Sequence, residues 1–269
     1  MRTTTTSSGL FPALIKHWRT RRGMSQLDLA LSADVSPRHV SFLETGRAQP
    51  SRDMVLRLAT TLSVPMRDQN QLLLAAGHPP VFAEAPAGAL EGPVGQVVST
   101  MLEHHEPFPM VVMDRAFDAV RMNHGAMRVL GRFVEDPTAL GERPNGYRIL
   151  LDPRLARPFV QDWEAVARSF LARLHREALE RPADEALAAL LRALFEIPGI
   201  PADWQTPDLA TVSQPFLAIR LHRGDLKLAF LTTVTTFNAP QNVTVEELRI
   251  ESYFPLDDAT RRACEDLAR

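Results

Sequence analysis

The side chains best suited to recognition chemistry crowd into one stretch, Arg19-x-x-Arg22-Gly23-Met24-Ser25-Gln26-x-x-Leu29-Ala30, which runs on through Val35-Ser36-x-x-x-Val40-Ser41-x-Leu43-Glu44-x-Gly46-x-x-x-Pro50-Ser51. It is rich in guanidinium forks and hydrogen-bonding groups, which suit planar or anionic partners. Elsewhere the sequence holds no nucleophile elbow, P-loop, dinucleotide fingerprint or zincin motif, so catalysis is not expected. His104-His105-Glu106 has the residue types of a metal site, but adjacent histidines on a helix point to different faces and no third ligand is evident. A loop or surface place is the plainer reading, and neither a metal nor a cofactor is expected. Cys264 is the only cysteine, which excludes an intrachain disulfide and suits a reducing compartment.

The elements that must position this stretch are short helices. Leu14, Ile15 and Trp18 form one stripe over Leu10 to Arg22, and Gly23 stops that helix. Ser25 caps a second helix, with Asp28 completing an imperfect capping box and Leu27, Ala30 and Leu31 expected to face inward. Ser36-Pro37 is a cap followed by proline at the first helical position, opening a third helix that ends at Gly46. Ser51 starts a fourth through Leu62, and Pro65 precedes a fifth ending at Gly77.

Beyond this point the pattern changes. Residues 78–93 are rich in proline, alanine and glycine and read as a linker, while residues 1–9, a Thr/Ser run, read as a disordered arm with no secretory h-region. A short amphipathic helix is expected over Glu91 to Glu106. Strands follow at Met110 to Asp114 and Ala119 to Asn123, and Asn123 caps a helix through Leu130. Helices at Trp163 to Glu180 and Asp184 to Phe195 flank Pro182. Three strands come next, Phe216 to Arg223, Leu226 to Phe237 and Glu247 to Phe254, the first two joined by a Gly224-Asp225 turn. Asp257 to Ala268 closes the chain as a helix. The fold class is therefore a mainly α five-helix domain at 10–77 and an α+β domain at 94–269.

The formal charge of −2 hides an asymmetry. Through His78 ten basic residues face five acidic ones, so +5 sits at the N-terminal end and −7 remains for the rest. The first part is built to approach a polyanion and the second is not. No apolar run nears the length that spans a membrane, and a cytoplasmic location is expected.

In order and spacing, residues 10 to about 76 resemble the phage-repressor-like (XRE) helix-turn-helix family. The resemblance implies that the helix opening at Ser36 enters the major groove of double-stranded DNA, with Leu27, Ala30, Val40 and Leu43 holding the two helices at a fixed angle. Gln26 would then hold a phosphate, and Glu44 would brace the domain against Arg19. Pro37, Arg38, His39, Ser41 and Phe42 would face the bases: Arg38 can grip guanine O6 and N7, and Phe42 or Pro37 can touch a thymine methyl. Phe42 suits partial burial equally, and His39 suits solvent. Arg47 and Arg52 would contact phosphates, Arg52 near the minor groove.

In the second half, Pro107-Phe-Pro-Met-Val-Val-Met-Asp114, the run Asn123 to Ala126 and Asp162-Trp163-Glu164-Ala-Val-Ala resemble the ligand-binding domain of MmyB-like regulators. The resemblance implies a PAS-like fold over roughly 95–268, a small antiparallel sheet with covering helices over one face, and an apolar, fatty-acid-like ligand. Met122, Phe159, Trp163, Phe170, Phe230, Phe237 and Tyr253 are the candidate pocket residues, with Arg220 or His222 as carboxylate partners; ordinary core positions are the competing reading for each. The expected whole is a ligand-responsive regulator acting as a homodimer. Two alternatives stand beside it: a C-terminal domain that only dimerises, and one that catalyses a reaction to which the DNA-binding part directs it.

Overall fold

The structure is a computed structural model that describes residues 9–84, 90, 92–181, 184–206, 218–238, 240 and 242–269. Most of the expected arm, residues 85–89 and 91 of the expected linker, Pro182, and Phe216-Leu217 of the expected strand lie outside the described residues. In chain order the elements are α1 (Leu10–Arg21), α2 (Gln26–Ser32), α3 (Pro37–Glu44), α4 (Arg52–Thr61), α5 (Met66–Ala75) and α6 (Gly92–His104). Then come β1 (Met110–Met113), β2 (Ala119–Met122), α7 (His124–Arg132), α8 (Gly146–Leu151), α9 (Trp163–Glu180) and α10 (Glu185–Phe195). The chain ends with β3 (Ala218–Arg223), β4 (Leu226–Thr235), α11 (Val243–Glu247), β5 (Arg249–Pro255) and α12 (Asp258–Ala268). Two compact units result, Met1–Ala85 with Ala239–Glu246, and Pro86–Asn238 with Glu247–Arg269.

In the first unit, side-chain oxygens start three helices. Ser25 Oγ accepts from Asp28 N at 3.1 Å while the Asp28 carboxylate accepts from Ser25 N at 2.8 Å, a complete capping box. Ser36 and Ser51 accept from His39 N and Met54 N, each at 3.2 Å. Each such cap stabilises its helix by about 1 kcal/mol. Pro65 caps nothing; instead the Glu246 carboxylate, from the second stretch of this unit, accepts from Met66 N at 2.7 Å. Arg22 donates to Leu62 O and Ser63 O, satisfying carbonyls at the end of α4.

The core of this unit is built on Ile15, Leu29, Ala30, Val40, Leu43, Leu58 and Leu72. Here one expectation is corrected. Leu27 and Leu31 are 53% and 71% exposed, whereas Leu29 and Ala30 are fully buried. Four of the seven residues of α2 are apolar, so both faces satisfy a helical period; the inward stripe is Leu29, Ala30 and the adjoining Ala33.

The second unit is a five-stranded antiparallel sheet in the order β2-β1-β5-β4-β3. Gly224, at φ +59°, supplies the left-handed position in the turn between β3 and β4. Asn123, 5% exposed, ties the start of α7 to β1: its Oδ1 accepts from Met110 N (3.0 Å) and Ala126 N (2.9 Å). Its Nδ2 donates to Phe108 O (2.8 Å) and Leu102 O (3.3 Å), so every polar valence of this buried amide is used. Gly125 follows because a Cβ there would lie 2.4 Å from Pro107 O. One sheet face carries α6, through Val98 and Leu102 on Val112 and Ile250. Residues of α7, α8 and α9 face the other side.

Candidate DNA interface and ligand cavity

Helix α3 presents its outer face as the helix-turn-helix geometry requires. Val40 and Leu43 are buried, Arg38 is exposed, and His39, Ser41 and Phe42 are half-buried. The Arg38 guanidinium lies 5.2 Å from the centre of the Phe42 ring. Stacking of this kind holds the planar guanidinium fork in one orientation. Pro37, Arg47 and Arg52 are exposed. Ser36 uses its hydroxyl as the cap of α3, which makes it a positioning residue for the helix.

The brace behind α3 is a three-residue network. Arg19 donates from Nε and Nη2 to the two Glu44 carboxylate oxygens at 2.6 and 2.9 Å, and from Nη1 to Met24 O at 2.7 Å. Gln26 Nε2 donates to the same Glu44 carboxylate at 2.8 Å, so the side chain expected at a phosphate is tied into the brace. Burial alone would raise the Glu44 pKa, but the hydrogen bonds from Arg19 and Gln26 outweigh it and hold the carboxyl below its ordinary range.

In the second unit a cavity of about 150 Å³ lies against one sheet face. Strand alternation decides its wall. Val111 pairs with Glu251 and with Met122, Val234 pairs with Glu251, and Ile219 with Phe230; all of these point to the cavity side. Ala126 and Val129 of α7, Tyr147 and Leu150 of α8, and Phe170 and Arg173 of α9 close it. The wall is apolar apart from one pole, formed by Tyr147, Arg173, Arg249, Glu251 and Tyr253.

At that pole Arg249 is paired with Glu177 and lies 4.4 Å from the Phe117 ring centre; burial, helped by nearby Arg173, lowers its pKa to about 10. Glu251 is 9% exposed, and burial pushes its carboxyl above the ordinary range against the pull of Arg173 and a hydrogen bond with Tyr253. Burial also raises Tyr253 and Tyr147. The Tyr147 hydroxyl has no hydrogen-bond partner among the described residues. Arg173 is exposed and forms no ion pair or hydrogen bond with any described residue.

Of the nine side chains expected at a ligand, Met122, Phe170, Phe230 and Tyr253 line this cavity. The other five lie elsewhere. Trp163 stacks on Trp204 at 5.6 Å, sits under Arg157 at 3.7 Å, and donates its indole N–H to Leu150 O at 2.8 Å. Phe237 packs against the α6 cluster on the opposite sheet face. Arg220 and His222 are out of phase with Ile219 and Leu221, so they reach a separate open cleft that also includes Phe159 and Lys227. In place of Arg220 and His222, the ionisable groups at the cavity other than the tyrosines are Arg173, Arg249 and Glu251. Two of them were within reach of the sequence, since they share the strand parity of Tyr253.

A family model described as Helix-turn-helix matches residues 15–69. One described as MmyB-like transcription regulator ligand binding domain matches residues 94–267. No curated protein matches the chain. Among solved structures, the clp gene regulator ClgR from C. glutamicum is 23% identical over 27% of this chain and 91% of that one, with a TM-score of 0.24. An RNA-binding light-oxygen-voltage receptor is 12% identical with a TM-score of 0.30; it aligns with 97% of this chain, which spans 60% of the receptor's length. Among the described residues no helix is long and apolar enough to cross a membrane. With a helix-turn-helix ahead of it and the sheet and cavity within it, the chain belongs to the MmyB-like transcription regulators.

Proposed function

We propose that this DNA-binding transcription regulator reads its operator as a homodimer through residues 10–77, and that a small fatty-acid-like carboxylic acid in the cavity of residues 94–269 controls it. The observation that carries the ligand reading is the cavity itself: an apolar wall with one polar pole that offers an uncommitted arginine, Arg173, and an uncommitted hydroxyl, that of Tyr147. About 150 Å³ matches the volume in which an engineered apolar cavity holds benzene, so the buried part of the ligand is compact. A residue-filled core would have favoured a domain that only dimerises. The dimer reading rests on the symmetry of helix-turn-helix recognition, in which two α3 helices enter successive major grooves one helical turn apart.

Calorimetric titration of the full chain with octanoate tests the ligand, and sedimentation with and without a palindromic operator duplex tests the dimer. Saturable one-to-one binding that is weakened by Arg173→Ala is expected, with two chains per operator. Absence of octanoate binding would remove the ligand reading, and one chain per operator would remove the dimer.

A further inference from the structure

The two buried hydroxyls and the buried carboxyl at the pole of the cavity serve no evident structural purpose. Arg249, Glu251 and Tyr253 alternate onto one face of β5, and all three reach the cavity. Arg249 is engaged by Glu177, which leaves Glu251 beside Tyr253 with no ion pair among the described residues. An ionised carboxylate facing apolar wall without a paired cation is costly, and such groups take up a proton instead.

Charge balance then separates the ligand classes. With Glu251 neutral, Arg173, Arg249 and Glu177 leave the pole at +1, which a single negative charge cancels. With Glu251 ionised the pole is neutral before anything binds, and an organic cation would leave it charged. A monocarboxylate is the balanced guest, provided that Glu251 stays protonated beside it. Two carboxyls at close quarters cannot both ionise and share one proton.

We propose that Glu251 sets the head-group specificity of the cavity: the ligand is a monocarboxylic acid whose carboxyl lies beside Glu251 and shares one proton with it, under Arg173 and the Tyr147 hydroxyl. This rests on the ligand reading given above and adds a proton to it. The two tyrosines and Arg249 at the pole do not titrate between pH 6 and 9. Tyr147 on α8 and Tyr253 on β5 are raised, and Arg249, lowered to about 10, stays largely charged. Asp114 faces Arg249, and Glu177 pairs with it.

Sodium octanoate, fully ionised across this range, is the probe, titrated into the full chain at steps from pH 6 to pH 9. Once the pH exceeds the pKa of Glu251 in the free protein, the affinity falls tenfold per pH unit, and heats measured in two buffers of different ionisation enthalpy report uptake of up to one proton. Glu251→Gln binds octanoate with an affinity that no longer changes with pH. Binding that is flat with pH overturns the proposal, and leaves the carboxylic-acid reading intact, when the infrared spectrum of the complex shows no protonated-carboxyl band. A protonated-carboxyl band in both the free and the bound protein supports it, because no proton then has to be taken up. Tighter binding of octylammonium than of octanoate overturns both, as does the absence of octanoate binding. Should Glu251→Gln fail to fold, the pH dependence, proton uptake and infrared spectra of the unmodified chain decide alone.

Discussion

The sharpest test of how α3 is presented is Glu44→Ala. The side chain of Glu44 is 2% exposed and accepts three hydrogen bonds, two from Arg19 and one from Gln26. Truncation leaves the Arg19 guanidinium, 12% exposed, with Met24 O as its remaining partner. Breaking a buried pair from one side costs about 3–5 kcal/mol, and because Arg19 can swing toward water the low end, ~3 kcal/mol, is the expected loss. For a unit of this size that lowers the melting temperature of the N-terminal transition by roughly 10–20 °C. Differential scanning calorimetry of the full chain reads it, with hydrogen exchange of the α3 amides to assign the transition. The sign with pH also follows. The folded pKa of Glu44 is depressed, so its contribution is complete above the unfolded value of about 4.3 and is lost as the pH falls through the lower folded value. Glu44→Ala should therefore flatten the acid limb of stability. A loss under about 1 kcal/mol with operator binding nonetheless abolished would refute the brace and give Glu44 a direct role at DNA.

Three further outcomes are expected. Arg38→Ala weakens specific binding by roughly tenfold or more and relaxes preference at one base pair, while Arg47→Ala weakens all sequences alike and lowers the salt slope by about 1, both read by fluorescence anisotropy at several salt concentrations. Affinity in a series of straight-chain acids rises about fourfold per methylene, for ~0.8 kcal/mol each, and levels off near the chain length that fills the cavity, as followed by titration calorimetry. Asn123→Ala, which removes the cap of α7 and two donors to buried carbonyls, destabilises the second unit by about 3 kcal/mol, as followed by urea denaturation.

What was legible in the sequence was mostly local chemistry. Ser25, Ser36-Pro37, Ser51 and Asn123 start helices where their types require it, and Gly224 turns the β3–β4 hairpin. The six residues of α8 escaped because so short a helix shows no period, although Asn145 caps it with bonds from Tyr147 N and Arg148 N. Leu27 and Leu31 misled because an apolar residue is not obliged to be buried. Arg249 and Glu251 at the pole of the cavity, beside the expected Tyr253, were passed over for the opposite reason. Charge on a strand reads as solvent-facing, and only the pairing of β5 between β1 and β4, a long-range fact, shows that Arg249 and Glu251 face inward with Tyr253. Arg220 and His222 were chosen by type, and a one-residue change of parity places them on the other face.

Whether the cavity is a ligand site or slack in the core can be decided from stability alone. Apolar volume left unfilled costs about 24 cal/mol per Å³, so 150 Å³ corresponds to ~3–4 kcal/mol that a ligand or a larger side chain can recover. Ala126 is the place to test this. It is 5% exposed, lies in the first turn of α7 and lines the wall, so Ala126→Leu adds three carbons toward the volume without touching the polar pole. In a fully packed core the same change would force strain and destabilise by about 1–3 kcal/mol. Here the free protein should melt higher, while octanoate binding weakens and the stabilisation by octanoate shrinks by a matching amount, because ligand and leucine compete for one volume. Scanning calorimetry with and without octanoate measures both effects. A lower melting temperature with octanoate affinity unchanged would show that the volume beside Ala126 is not where the ligand binds.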